Sequence, residues 1–591
     1  MCEKQTLMVM MRLSWSGLWM RSNLTAEAPM VKLQTKRESG PMPRHAPSTD
    51  LLTHEVTNQP SEFSGRNLYA IDKPLREAVL REAGPWLDAR MDALGAELGS
   101  ERVLELGETA NRFPPELVTF DRYGRRVDEA RFHPAYHELM ALAMRHEIHD
   151  IAWKTDEPGA HVAHLALAGM FTQAEAGTMC PINMTYAAVP ALRAHSNVAG
   201  PWLDRLIGGT YDAPLCPIAE KAGITLGMAM TEKQGGSDVR ANTTRAEATE
   251  DGSYRLTGHK WFCSAPMSDG FLTLAQAKNG LSCFLVPRIC PDGTRNAIHI
   301  MRLKDKLGNK SNALSEIEYH GAYATRLGDE GRGVNVIIDM VHHTRLGTIA
   351  GTLGMMRMAL AQAVHHVSER RVFQRTLIDQ PLMRGVIADL AMEYEAAVVL
   401  GARVARAFDG TNDQERAFAR LGVALGKYWL TKRNPNFVYE CMECHGGAGY
   451  VEETPMPRLF RESPLNAIWE GAGNVIALDI LRTLGREPLA LEAYRSEVDL
   501  SRGGNAVLDA AAEALFAELG RGTPVETRGR IIAERMALVL QGALLVRHAP
   551  AAIADAFCAT RLGEEGGRSF GVLPSSADIG AIIERQLGDV A

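Results

Sequence analysis

The apolar rhythm of this chain changes twice, and those two changes restrict its fold more than any composition figure. From about Asn67 to Ile207, stretches such as PLREAVLREAGPWLDARMDALGAEL and AYHELMALAMRHEIHDIAW repeat apolar residues with the 3.6-residue period of amphipathic helices. Between about Thr225 and Arg326 the apolar runs become short or alternating. YRLTGHKWF, GFLTLAQA, LSCFLVPR and ALSEIEYH are set apart by EDGS, SDG, KNG and PDGTRN, all turn-forming sequences. From about Gly333 the helical period returns in pieces long enough for a bundle of antiparallel helices, beginning with VNVIIDMVHHTRLGTIAGTLGMMRMALAQAVHHVSERRVF.

The pattern predicts an α+β multidomain chain. Residues 61–224 form a helical N-terminal domain, 225–330 a middle β domain, 331–485 a helical bundle and 486–591 a further helical domain whose strongest helix is RIIAERMALVLQGALLV. Residues 1–60, rich in Met, Pro, Ser and Thr without a sustained period, are expected to be a disordered or mis-started extension. The early apolar run from Leu7 to Met20 is broken by Arg12 and is too short to span a bilayer. It makes a poor export signal because Glu3 offsets Lys4.

A net charge of −7 gives the whole molecule no electrostatic attraction for nucleic acid or anionic membrane, although local patches are compatible with it. Nine scattered cysteines, an odd number, favour free thiols in a reducing compartment, the cytoplasm. Cys441-Met-Glu-Cys444-His445 matches the C-x-x-C-H pattern of covalent haem attachment. It reads as a coincidence, because an export signal is missing and GGAGY follows at once, and no metal site is expected. GVALGK has one residue too few for a P-loop, and the glycines around Gly471 lack both the third glycine and the preceding strand of a dinucleotide-binding turn.

Two stretches carry chemistry. MTEKQGGSDVRANT, Met230 to Thr243, could bring backbone N–H groups of its paired glycines and the hydroxyls of Thr231 and Ser237 against a ligand. NAIWEGAGN, 466 to 474, sets one carboxylate, Glu470, between Trp469 and a run of small residues. On the residues alone, Glu470 is either a charge favoured at a helix N-terminus or a general base in a dry pocket.

TEKQGGSDV, GHKWFCS, RRVFQRTLIDQPLMRGVIADLA, CHGGAGY and NAIWEGAGN, in that order over roughly residues 60 to 485, resemble the FAD-dependent acyl-CoA dehydrogenases. NTTRAE, RLKDKLGN and the additional C-terminal segment resemble the AidB type within that superfamily, the DNA alkylation response flavoproteins. The resemblance implies that Met230, Thr231, Gly236 and Ser237 contact the flavin ring, with Phe262, Cys263 and Ser264 flanking it. Arg370 and Phe373 would reach the FAD of a neighbouring subunit with Gln380 downstream, which implies a homotetramer. Glu443, Gly446, Gly447, Ile468, Gly471 and Asn474 also fall at cofactor positions.

By the same resemblance, Glu470 removes the α-proton of an acyl-CoA thioester while the flavin accepts hydride from the β-carbon, with Arg345 in the catalytic site. Three positions depart from the family pattern: Glu443 stands for a diphosphate-binding glutamine, Gln374 for a glycine and His342 for a CoA-contacting aspartate. FAD binding is therefore expected to survive better than fatty-acyl turnover, so activity should be weak or narrow. The alternative is a true dehydrogenase of fatty-acid or branched-chain catabolism. The AidB type is also associated with double-stranded DNA, and Arg521, Arg528, Arg530 and Arg535 are the candidate phosphate contacts. Against that, eleven arginines and fifteen acidic residues leave the segment after Gly485 at −4.

Overall fold

The computed structural model describes residues 47–522 and 524–587. The fold below is that of the unit from residue 50 onward. Most of the expected N-terminal extension lies outside the described residues. Its last part does not hang free: the Asn58 side chain donates to Arg371 O (2.9 Å) and accepts from Arg371 N (2.8 Å), and Ser61 donates to Glu369. The boundary expected at residue 61 thus cuts through a strap docked on the helical bundle.

The N-terminal region is helical, as its period requires, with one insertion that the periodicity did not reveal. Strands Glu116–Phe120 and Arg126–Arg131 form an antiparallel hairpin. Its turn is built by Asp121, whose side chain accepts from Tyr123 N and Arg125 N, and by Gly124 at φ 78°. Helix Ala160–Ala174 is buried at every position, so it shows no amphipathic stripe. It crosses the long helix Gly333–Glu369 closely: a Cβ on Gly354 would lie 2.2 Å from Gly169 O.

In the middle domain, strands Gly270–Ala277, Arg245–Ala248, Tyr254–Ser264, Leu314–Leu327 and Gly280–Pro287 pair successively and close into a ring. Leu226–Ala229 adds to this sheet in parallel and Ile298–Leu303 in antiparallel fashion. Closure removes free edges and gives the strands an interior filled by Cys263, Phe271, Phe284, Ile317 and Tyr319. The outer face, with Leu272, Leu274 and Leu285, packs on helix Met179–Arg193.

The bundle comprises Gly333–Glu369, Pro381–Phe408, Asp413–Glu443 and Gly473–Arg486. The segment after Gly485 is helical as expected, but it shares the bundle's core instead of forming one of its own. Arg561 pairs with buried Asp389 and Glu393 of the bundle, Arg585 ties Glu395 to Glu77, and Tyr494 donates to Met536 O (2.8 Å). Among the described residues no helix is long and apolar enough to cross a membrane.

Candidate active site

A cavity of about 550 Å³ lies where the middle domain, the helices Ala160–Ala174 and Met179–Arg193, and the long bundle helix meet. From the sheet side it is lined by Met228, Met230, Thr231, Gly236, Ser237, Phe262 and Ser264. The loop carrying Thr231 and Ser237 is pinned from behind. Glu232 is buried and accepts from Lys260 Nζ (2.9 Å), Thr243 N (2.7 Å) and Thr244 N (3.1 Å), while Trp261 N donates to Thr231 O (2.8 Å). Burial pushes the Glu232 carboxyl up, but Lys260 and these donors outweigh it and hold the group down at about 2. The loop is therefore a rigid wall, already shaped for a ligand.

Strand alternation corrects one expected residue. Phe262 and Ser264 face the cavity, so Cys263 between them points into the closed sheet, where it is fully buried and its carbonyl accepts from Ser315 Oγ (3.0 Å). Ser264 is thus the hydroxyl that this strand presents.

Opposite the sheet stands Glu470. It adopts φ 56°, in the left-handed region, immediately before Gly471 at φ 100°. A non-glycine residue there is strained and persists only where its surroundings impose it. Glu470 Oε2 accepts from Thr344 Oγ1 (2.6 Å), and Glu470 O accepts from Arg345 Nε (3.2 Å). Burial pushes the Glu470 carboxyl above the ordinary carboxylate range, against the opposing influence of the Thr344 hydroxyl, Arg345 and Lys427. The helix that follows begins only at Gly473, and the Glu470 side chain does not cap it. The Glu470 carboxylate thus lines the cavity and is not placed as a helix cap.

Arg345 lines the cavity, but its guanidinium is committed. Nη1 bonds Asp479 (2.7 Å), which also takes Arg420 (2.6 Å). The Arg345 Nε bond to Glu470 O orients the Glu470 turn. Ile468 and Gly471 line the cavity, whereas Asn474 is exposed on the first turn of the following helix and does not.

The remaining expected cofactor residues form a second group. From Arg345 to the end of the long helix is 24 residues, about 36 Å at 1.5 Å each. There Arg370 bonds Asn58 O, and the rings of His366 and His445 sit 4.6 Å apart, bringing Glu443, Gly446 and Gly447 to the same end. Phe373 and Gln374, at φ 51° and 65°, make a two-residue turn between Arg371–Val372 and Arg375–Thr376. Phe373 is 89% exposed, and Gln380 closes the turn by donating to Val372 O (3.0 Å). None of these residues lines the Glu470 cavity. Glu443 stands beside Glu440, an acidic pair unsuited to a diphosphate from this chain alone.

Of the four arginines considered for DNA, Arg528 (2.6 Å) and Arg535 (2.9 Å) share Glu518, so their charge is partly neutralised; Arg521 and Arg530 are exposed. Cys441 and Cys444 are buried, burial pushes both thiols up, the second to about 12, and His445 is bonded to Cys441 O (2.8 Å). No cluster of three metal-ligating side chains occurs among the described residues.

Sequence reasoning missed Thr344 as a partner of Glu470 and Asp479 as the anchor of Arg345. It also missed Asn183, which lines the cavity with an unpartnered buried Oδ1. It passed over Lys427 too, inside the rejected GVALGK stretch, although Lys427 Nζ donates to Gly471 O. Position relative to Arg345 could have flagged Thr344; nothing local marks the others.

An apolar slot with hydroxyls at Thr231, Ser237 and Ser264 on one wall and a shielded carboxylate on the other fits a flavin ring with a thioester stacked on it. The comparisons agree. The middle and C-terminal domain models of the acyl-CoA dehydrogenases match residues 227–322 and 331–485. The chain belongs to the acyl-CoA dehydrogenase family, whose members are FAD-dependent oxidoreductases. Within that family it is of the AidB type: the adaptive response protein AidB N-terminal domain matches residues 58–213. AidB of Escherichia coli (strain K12) is 45% identical over 520 residues, 87% of this chain and 95% of that one. Acyl-CoA dehydrogenase family member 11 of Caenorhabditis elegans is 31% identical over 81% of this chain and 84% of its own. The crystal structure of C. elegans ACDH-11 in complex with C11-CoA superposes with a TM-score of 0.80 at 28% identity, covering 91% of this chain and 98% of that one.

Proposed function

We propose that this chain oxidises an acyl-CoA thioester at its Cα–Cβ bond, with Glu470 as the base that removes the α-proton. The observation that carries this is the Glu470 carboxylate lining the cavity, raised by burial and aimed by Thr344 and Arg345; the second carboxylate of the lining, Glu462, accepts from Asn309 N (2.6 Å). FAD, when bound, supplies the hydride acceptor for the β-carbon. Met230, Thr231, Gly236, Ser237, Phe262 and Ser264 would hold its ring, and Ile468 and Gly471 would border it from the Glu470 side. Trp469, fixed by its Nε1 donating to Asn466 (2.8 Å), shields the carboxylate from water.

His342, where the family pattern has an aspartate, is held neutral by burial, its pKa pushed down to about 3, and Nε2 has no partner. It offers CoA no charge, which supports weak or narrow turnover over bulk fatty-acid catabolism. Anaerobic mixing of the FAD-loaded protein with acyl-CoA thioesters of increasing chain length tests this. Flavin absorbance should bleach with a narrow subset and not with Glu470→Gln; bleaching by none removes the proposal.

The second group, Arg370, Phe373, Gln380, Glu443, Gly446 and Gly447, lies too far from Glu470 to serve the same flavin, and Phe373 is exposed. We infer that it completes the cofactor site of a neighbouring copy in a homotetramer. Sedimentation should give four chains, and Arg370→Ala should weaken FAD retention.

We further propose a role in the cytoplasmic response to DNA alkylation, with duplex DNA as a partner; the match to the N-terminal domain of the adaptive response protein AidB supports the adaptive part of this reading. Arg521 and Arg530, exposed, are the better phosphate contacts; Arg528 and Arg535 share Glu518. Duplex affinity should fall with salt, and Arg521→Glu with Arg530→Glu should flatten that dependence. Absence of binding at low salt removes the DNA role.

A further inference from the structure

The turn that carries the base is held by two cations, and only one of them is ion-paired to a carboxylate outside that turn. Glu470 and Gly471 present successive carbonyls to Arg345 Nε and Lys427 Nζ. Arg345 is paired with Asp479, which it shares with Arg420. Lys427, on helix Asp413–Glu443, is 1% exposed and does not line the cavity. The acid facing it is Glu470; the other charges facing it, Arg345 and Lys432, are cationic. A buried ammonium among cations is costly unless a carboxylate compensates it.

We propose that Lys427 is a positioning residue for the base: it fixes the strained 470–471 turn through the Gly471 carbonyl and, as a cation, keeps Glu470 a carboxylate until a thioester α-carbon presents its proton. This rests on the acyl thioester function proposed above. Burial pushes Lys427 down to about 7, with Glu470 drawing it back up. When Glu470 takes a proton, the one negative charge facing Lys427 disappears, so the two groups are coupled. Thr344, Arg345 and Cys180 are the other groups that face Glu470, and none of them supplies a cation without a carboxylate partner.

Two measurements on FAD-loaded protein test the coupling, using Lys427→Met, Lys427→Arg and Glu470→Gln. In single-turnover flavin bleaching, K427M should displace the pH profile upward by about one unit, roughly a tenfold loss below neutrality, with thioester KM unchanged and K427R near wild type. A profile that keeps its midpoint and only drops in height would reduce Lys427 to a structural clamp and overturn the proposal. In thermal melts, K427M should lower Tm more in the wild-type background than in E470Q; additive effects would overturn it equally. The melts need no turnover, so they decide the matter even if no thioester bleaches the flavin, a result that would remove the acyl thioester function instead. If K427M does not fold, K427Q carries the same comparison.

Discussion

Thr344→Val removes the hydrogen bond that Thr344 makes to the Glu470 carboxylate, together with the same hydroxyl's contact to Val341 O (3.0 Å) on its own helix. It removes a donor 2.6 Å from Glu470 Oε2 while preserving side-chain volume on a buried helix face. A hydrogen bond to a charged acceptor contributes about 1.5–3 kcal/mol, and here it favours the carboxylate over the acid. Losing it therefore raises the folded-state pKa of Glu470 further, and at 1.36 kcal/mol per pH unit the activity profile should move upward by about one to two units. At fixed neutral pH that is about a tenfold to hundredfold slower flavin bleaching, recovered as pH rises. Stopped-flow absorbance with a saturating thioester between pH 6 and 9 reads it directly. A uniform loss at every pH, or none, would refute the assignment of Thr344 as the carboxylate's donor.

Three further outcomes follow from the packing. Arg561→Met strands buried Asp389 without a cation, while Glu393 keeps Arg433 (2.8 Å), and should cost about 3–5 kcal/mol in urea unfolding; an unchanged midpoint would contradict it. Burial pushes His161 far down, His164 to about 3 and His343 to about 4, all below the ordinary imidazole value, so the unfolded chain takes up protons first as pH falls. Stability should be lost from about pH 6.5 downward at about 1.4 kcal/mol per pH unit for each residue, and His343→Phe should flatten the fall of Tm between pH 7 and 5. Gly351 lies seven residues, about 10 Å, beyond Thr344 on the same cavity wall, and a Cβ there would sit 3.3 Å from Asn466 Nδ2. Gly351→Leu should close the far end, deny burial to about four methylenes at ~0.8 kcal/mol each, and cost long-chain thioesters about a hundredfold in kcat/KM while sparing short ones.

The architecture was legible because period-3.6 and period-2 tracts alternate in long blocks, and the middle sheet runs from Leu226 to Leu327, close to where the rhythm changes. The hairpin at Glu116–Arg131 was not, since two short half-exposed strands leave little alternation to detect. Nor could periodicity show that the last helices share the bundle's core, because Arg561 and Arg585 meet their carboxylates across separations of 168 to 508 residues. The cavity wall from Met230 to Ser264 was legible from motifs, except for Cys263, whose direction alternation alone could have given. Lys427, Thr344 and Asp479 meet at Glu470 only through the crossing of three helices. No local pattern encodes such a meeting.

The most direct test of Glu470 as the base is the isotope dependence of single-turnover flavin bleaching by an acyl-CoA deuterated at the α-carbon, in wild type and Glu470→Gln. Proton removal by this carboxylate predicts severalfold slower bleaching with deuterium in wild type and essentially none in the variant. Bleaching of the variant at the wild-type rate would contradict it.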